Sequence, residues 1–271
     1  YDFSGGFFLN NPELSKLQFD HRNTQLHDLD DGLLKDYDDS LKNFQKEHNL
    51  TIFHLMGQHV NYKQRYRTKQ ARFWASSYED KRPELTNAQR KMLSHYDNAT
   101  LYNDSIVAQI VKRFQKQDAI VIYVPDHGEE CYEENRGFIC RNHSAEIDWP
   151  LAHYEFEIPF WIYCSSKYIR NHRDIYRQIR KAKDKRFMTD ALPHLLLYLA
   201  GIETPTYKEE YNILSPKYDE MRPRILKNSA DYDKLRDAYL EKEAKKKAAE
   251  EAKEKKTQKM SKKKGSKKKK Q

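Results

Sequence analysis

Ala119-Ile-Val-Ile-Tyr-Val-Pro-Asp-His-Gly-Glu129 is a hydrophobic run that ends abruptly in an Asp-His pair. Ile120 to Val124 read as a strand buried on both faces, and strands of that kind belong to parallel sheets. In open α/β sheets the ligand site lies at the carboxyl ends of the strands. Asp126 and His127 would emerge at that edge, offering a carboxylate oxygen and an imidazole nitrogen, a donor pair that a zinc-like ion accepts. Gly128 is expected to permit a tight turn. Alone, such a pair also fits a simple capped turn, so the rest of the chain has to decide.

Working outward, Thr51-Ile-Phe-His-Leu-Met-Gly57 reads as a second buried strand ending in a histidine-bearing turn, Gly57-Gln-His-Val-Asn-Tyr62. His54, inside that strand, reads as a core histidine. Lys63 to Pro83 is basic and irregular, a surface excursion. Tyr102, Ile106, Ile110 and Phe114 recur every four residues with Val107 and Val111 beside them, the apolar stripe of a long helix. Strand, helix and strand from Thr51 to Val124 then imply a βαβ crossover with a parallel pair. Upstream, Leu33, Leu34, Tyr37, Leu41 and Phe44 give an amphipathic helix from Asp31 onward. Downstream, Glu157-Ile-Pro-Phe-Trp-Ile-Tyr163 reads as a third strand, with Pro159 at its start or on an edge. Met188 to Ala200 reads as a helix with Pro193 in its first turn and Gly201 as its stop.

The chain has 271 residues with 38% hydrophobic content, enough for one sizeable α/β domain. No apolar run approaches the roughly 20 residues that span a bilayer, and no signal-peptide pattern opens the chain. The sequence starts at Tyr1, without methionine, in a stretch resembling the middle of a fold, so a fragment cut on its N-terminal side is expected. The net charge of +9 sits at the other end: Tyr239 to Gln271 holds 15 Lys and 5 Glu, leaving residues 1–238 at −1. Two readings of this low-complexity tail stay open: a solvated segment, or one drawn to anionic lipid headgroups or polyanionic glycolipids. Specific nucleic-acid recognition is not expected, because no aromatics interleave the lysines. Cys131 and Cys140 flank a short loop and could form a disulfide or remain buried thiols; with Cys164 they lack zinc-knuckle spacing.

Taken together, Gly57-Gln-His-Val-Asn-Tyr62, Tyr96-Asp-Asn-Ala-Thr-Leu-Tyr-Asn-Asp104, Tyr123-Val-Pro-Asp-His-Gly-Glu129, Asn142-His143, Glu157-Ile-Pro-Phe-Trp161 and Asp190-Ala-Leu-Pro-His194 with Ala200-Gly-Ile202 resemble the phosphoethanolamine transferases, in the sulfatase branch of the alkaline phosphatase superfamily. The resemblance covers Leu50 to Ile202, the C-terminal part of the catalytic domain. It implies an α/β fold with a mostly parallel sheet flanked by helices, incomplete at the N-terminal side, over residues 1–232, with 233–271 a lysine-rich helical or disordered tail. It also implies a zinc enzyme of the bacterial inner membrane, facing the periplasm and anchored by N-terminal helices missing here. Such enzymes move phosphoethanolamine from phosphatidylethanolamine to lipid A, a lipopolysaccharide core or another glycan through a zinc-activated threonine.

By the same resemblance Asp126 and His127 are zinc ligands, and His59 and His143 lie on the phosphate side of the pocket. His194 caps or packs a helix, and Tyr96, Asp97 and Asn98 orient a helix rather than catalyse. The chain departs from the family in lacking the Gly-Glu-Thr-like nucleophile context, so alone it is expected to be inactive. A sulfatase or phosphodiesterase hydrolase of the same superfamily, and a non-catalytic remnant resting on anionic envelope surfaces, are the competing readings.

Overall fold

The structure, a computed structural model, describes residues 27–39, 46–142 and 146–268. It divides into two compact units: Tyr1–Tyr123 with Cys131–Cys140 and Trp161–Arg173, and Val124–Glu130 with Arg141–Phe160 and Asp174–Gln271.

The first unit is organised by two helices, α1 (Asp31–Asp39) and α2 (Asn87–Phe114). Thr86 starts α2 with a capping box, its hydroxyl accepting from the Gln89 N–H while the Gln89 side chain answers the Thr86 N–H. The expected stripe is buried at Tyr102, Ile106 and Ile110, and the helix extends it backward through Leu93, Asn98 and Ala99. Leu34, Tyr62 and Tyr66 join this stripe in the core, with Phe53, Leu55 and Val121 packed against it. Arg113 grips Asp38 through two bonds of 3.0 and 2.6 Å, tying α2 to α1. Of the residues proposed for the first helix, Leu34 and Tyr37 are buried in α1, while Leu41 and Phe44 lie outside the described residues.

The expected strand at the centre of the reading is β1 (Ile120–Tyr123), and it pairs with β2 (Trp161–Cys164). The ladder is antiparallel, running from Ile120↔Cys164 to Tyr123↔Trp161, whose rings stack at 5.3 Å. The α/β class stands, but the parallel crossover expected from Thr51 does not form. Thr51 to Met56 joins no ladder, and the backbone donors of Met56 and Gly57 are taken instead by the two carboxylate oxygens of Asp30, each at 2.9 Å. Nor is this segment buried on both faces: Phe53 and Leu55 turn to the core while Ile52 and His54 are exposed, which corrects the reading of His54 as a core histidine. Alternation of this kind is what one buried face produces. Pro159 precedes β2, in keeping with a strand start. Ser165 closes the ladder: its hydroxyl donates to the Gln117 carbonyl at 2.6 Å and caps α4 (Ser166–Asn171) by accepting from the Tyr168 N–H.

The second unit contains α3 (Trp149–Phe156), α5 (Arg173–Ala182, from Asp174 on), α6 (Leu192–Leu199), the two-residue strands β3 (Ile225–Leu226) and β4 (Ala230–Asp231), and α7 (Tyr232–Lys268). Helix α6 ends as expected: Gly201 has φ +65°, the Gly201 N–H donates to Tyr198 and the Ile202 N–H to Leu197, a Schellman closure. His194 packs as expected, its Nδ1 accepting from the Lys208 N–H at 3.1 Å and its ring lying 5.2 Å from that of Tyr211. Among the described residues no helix is long and apolar enough to cross a membrane.

Candidate functional site

The chain leaves β1 at Tyr123 and enters the Val124–Gly128 turn, which belongs to the second unit. Within that turn the Asp126 carboxylate is 86% exposed and the His127 ring only 19%. His127 Nδ1 lies 2.7 Å from the Gly128 carbonyl. A carbonyl can only accept, so Nδ1 carries the proton and, in the neutral ring, the lone pair sits on Nε2. That nitrogen is 3.5 Å from Asp126 Oδ2. Two donors on one zinc at bond lengths near 2.0–2.1 Å stand about 3.4 Å apart along a tetrahedral edge. The observed spacing therefore fits a shared zinc ion, and the Nδ1–H···O=C bond is the outer contact that fixes a ligating histidine. Asp126 and His127 could supply two of the four donors of a tetrahedral zinc site. Among the described residues no group of three or more His, Cys, Asp or Glu side chains is arranged to hold a metal.

Gly128 fixes this turn in a way different from the expectation. Its φ lies outside the left-handed region; what excludes a side chain is the Tyr154 backbone carbonyl, which would stand 2.3 Å from an added Cβ. The close approach lets the Gly128 N–H donate to the Glu155 carbonyl at 2.8 Å. Glu155 is nearly fully buried, and its side chain accepts from the Asn142 N–H at 2.7 Å. One residue on α3 thus holds both the Asp126-His127-Gly128 turn, through its main chain, and the residue before His143, through its side chain. His143 itself lies outside the described residues.

Helix α3 went unread in the sequence although a start signal was present. Asp148 accepts from the Leu151 N–H at 2.9 Å as N-cap, and Pro150 occupies the first turn, where its missing N–H does no harm. Reading that pair as a helix start would have placed Glu155 two turns later.

His59 is carried by the first unit in the Gly57–Tyr62 turn. Gly57 (φ +54°) and Asn61 (φ +64°) both take left-handed conformations there, and the His59 N–H closes on the Met56 carbonyl at 3.1 Å. Arg65 braces the turn from below with bonds to the His59 and Val60 carbonyls at 3.1 and 3.2 Å. Tyr62 buries its ring against Tyr96, while the His59 side chain is exposed. Asp30 was missed because, one residue before α1, it reads as an ordinary helix start.

The Tyr96-Asp-Asn segment acts as a structural brace, in line with expectation. Asn98 accepts from the Arg72 and Phe73 N–H groups at 2.7 and 3.1 Å and donates to the Phe73 and Ser94 carbonyls at 2.8 and 2.7 Å. Asp97 receives the Tyr78 hydroxyl, and burial followed by this bond drives the phenol far above its ordinary range. His95, bonded to the Tyr66 hydroxyl at 2.9 Å, is held below the usual imidazole range by burial first and then by Lys63 and Lys91. The three cysteines are free thiols, so the pairing of Cys131 with Cys140 is not formed; burial pushes the Cys164 thiol up.

Known proteins align with this arrangement. The sulfatase family profile matches residues 3–202. Phosphoethanolamine transferase EptC of Escherichia coli O18:K1:H7 is 31% identical over 222 residues, covering 79% of this chain and 37% of the relative. Kdo(2)-lipid A phosphoethanolamine 7''-transferase of Escherichia coli K12 is 32% identical over 160 residues, covering 58% of this chain and 27% of the relative. The crystal structure of the C-terminal periplasmic domain of Escherichia coli EptC in complex with Zn superposes with a TM-score of 0.63 at 27% identity, covering 79% of this chain and 59% of that one. The chain spans a little over a third of the length of the EptC sequence it matches, 37%. With the profile running through both the His59 turn and the Asp126-His127 turn, the chain belongs to the sulfatase family.

Proposed function

We propose that this chain is part of a phosphoethanolamine transferase that moves phosphoethanolamine from phosphatidylethanolamine to lipid A, a lipopolysaccharide core or another glycan. The observation that carries the reading is the Asp126–His127 pair, with Oδ2 and Nε2 3.5 Å apart and Nδ1 committed to a backbone carbonyl. Similarity to the EptC proteins, one of them solved with zinc, supports the same assignment. Residues 1–232 form the catalytic portion in this reading and 233–271 a tail. The host is a bacterial inner-membrane protein whose catalytic part faces the periplasm.

Asp126 and His127 would hold zinc. When bound, the metal supplies a Lewis acid that lowers the pKa of a coordinated hydroxyl and polarises a phosphoryl oxygen. The chain's own residues do the rest of what can be assigned here. Asp126 would contribute one negative charge toward offsetting the divalent cation. The Gly128 carbonyl keeps the proton of His127 on Nδ1, so the ring meets a cation with its lone pair. His59 and His143 are assigned to the phosphate side, where an imidazolium donates to phosphate oxygens. The nucleophile, a threonine in this reading, belongs to sequence outside the matched motifs.

The test is transfer by the full-length protein with Asp126→Ala or His127→Ala, using phosphatidylethanolamine as donor and lipid A as acceptor. Each substitution is expected to abolish transfer with the melting curve preserved; wild-type transfer by either variant overturns the ligand assignment. Release of the headgroup to water at an undiminished rate without acceptor would instead identify a hydrolase of the same family.

A further inference from the structure

The lysine-rich tail carries its charge unevenly. Tyr232 to Lys255 holds seven Lys and one Arg against seven acidic residues, whereas residues 256–271 hold nine Lys and no acid.

 Helix α7 spans this boundary, running from Tyr232 to Lys268. Its first part is therefore close to neutral, and the positive charge is gathered at the far end.

The base of α7 is fixed to the second unit. Trp149 of α3 packs its ring 5.3 Å from that of Tyr232 and 6.0 Å from that of Tyr239, and Leu235 packs against the cluster of Ala152, Leu226 and Tyr232. The Tyr232 hydroxyl donates to Glu157, and the Arg224 guanidinium lies 4.2 Å over the Tyr232 ring. Arg186 and Arg224 both bind Asp233, and the Arg224 bond leads in holding that carboxyl below its usual range. Beyond Tyr239 these contacts stop: from Leu240 to Lys255 every residue but Glu243 is exposed. Acidic and basic residues are mixed there, with Glu241 paired to Lys245 one turn on at 2.6 Å. Mixed charge of this kind supports a solvated helix without a partner. Twenty-four residues at 1.5 Å each make an arm of roughly 36 Å.

We propose that residues 256–271 are an adsorption site for an anionic phospholipid surface, carried by the Tyr232–Lys255 arm. Nine lysines without an acidic neighbour supply a dense positive field that a phosphate-bearing bilayer surface attracts. The composition argues against base stacking and against insertion. No Phe, Tyr, Trp or His follows Tyr239, so no side chain offers a stacking platform for bases. Apart from alanines, Met260 is the single apolar residue after Leu240, so no apolar face sinks into the acyl region. Adsorption is thus electrostatic and reversible, and salt weakens it. The inference rests on charge placement and holds whether or not the transferase reading does.

The experiment is co-sedimentation of the whole chain, and of the chain ending at Lys255, with vesicles of phosphatidylcholine alone or mixed with phosphatidylglycerol. The whole chain is expected to bind the phosphatidylglycerol vesicles, at least about tenfold more weakly when salt is raised from about 0.05 to 0.3 M. The shortened chain is expected to lose that binding while melting at the same temperature. Equal binding by the shortened chain, or equal binding to neutral vesicles, overturns the proposal. So does a short DNA duplex that displaces the chain completely from the vesicles at equal phosphate concentration.

Discussion

Replacing Gly128 with alanine tests the packing beneath the Asp126-His127 turn. The added Cβ would stand 2.3 Å from the Tyr154 carbonyl oxygen and 3.3 Å from that of Glu157. An ordinary carbon–oxygen contact is about 3.3 Å or more, so the turn and α3 must separate by about 1 Å. Both obstructing atoms are backbone, so no side-chain rotation relieves the clash. Overpacking of this sort costs about 1–3 kcal/mol. The Gly128 N–H bond to Glu155, 2.8 Å long, is lost with the separation, for about 1 kcal/mol more. The total of about 2–4 kcal/mol lowers Tm by roughly 5–15 °C at this chain length. Gly137→Ala is the matched control: nothing lies within 4 Å of its Cβ, and its φ of +71° makes the penalty conformational, about 1–2 kcal/mol. Thermal unfolding followed by circular dichroism measures both. A Gly128→Ala protein that melts with the wild type, or no lower than Gly137→Ala, refutes the reasoning.

Two further substitutions probe residues that the motifs did not mark. Asp30→Ala removes the acceptor of the Met56 and Gly57 N–H groups and is expected to destabilise the first unit by about 2–3 kcal/mol. Hydrogen exchange at those two amides should accelerate strongly, with Asp30→Asn intermediate because one amide oxygen replaces two carboxylate oxygens; unchanged protection in Asp30→Ala counts against the brace. Glu155→Ala leaves the half-buried Asn142 N–H without its acceptor, whereas Glu155→Gln keeps an acceptor there. In the full-length protein Glu155→Ala should weaken zinc binding by about tenfold or more and Glu155→Gln should restore most of it. Equal zinc affinity in the alanine variant and the wild type would leave Glu155 a folding residue alone.

The parts legible in the sequence were those set by local chemistry. The i, i+4 spacing of Tyr102, Ile106 and Ile110 located α2, and Gly201 located the end of α6, because side-chain periodicity and positive φ are properties of short stretches. The Asp126-His127 pair was visible for the same reason. Pairing sense was not. A run such as Ile120–Tyr123 fits a parallel or an antiparallel neighbour equally well, and its partner, Trp161–Cys164, was named as a strand without any local sign of its direction. Thr51–Met56 looked like a ladder strand because its apolar content is high, yet its terminal donors are consumed by a carboxylate more than 25 residues earlier in the chain. Gly128 was recognised as necessary on the wrong ground: the constraint is a carbonyl of α3 that no pattern near Gly128 reveals.

Helix α3 gives the second unit a connection that sequence order conceals. At its start Trp149 packs against Tyr232 and Tyr239 at the base of α7, and near its end Tyr154 and Glu155 shape and hold the Asp126-His127-Gly128 turn. Eight residues therefore link the anchored end of the lysine-bearing arm to the candidate zinc ligands, with Glu155 also fixing Asn142. A rigid helix transmits a displacement at one end to the other, so a force applied through α7 bears on the turn through packed contacts and the Gly128–Glu155 hydrogen bond. Trp149→Ala separates the two ends. It should loosen the base of α7 and cost about 3 kcal/mol of stability, in the range for a large aromatic truncation. If α3 acts as one rigid piece, hydrogen exchange at the Gly128 amide accelerates together with that at the first turn of α7. Acceleration confined to α7, with the Gly128 amide as protected as in the wild type, would show that the turn is held by Glu155 and Tyr154 independently of the arm.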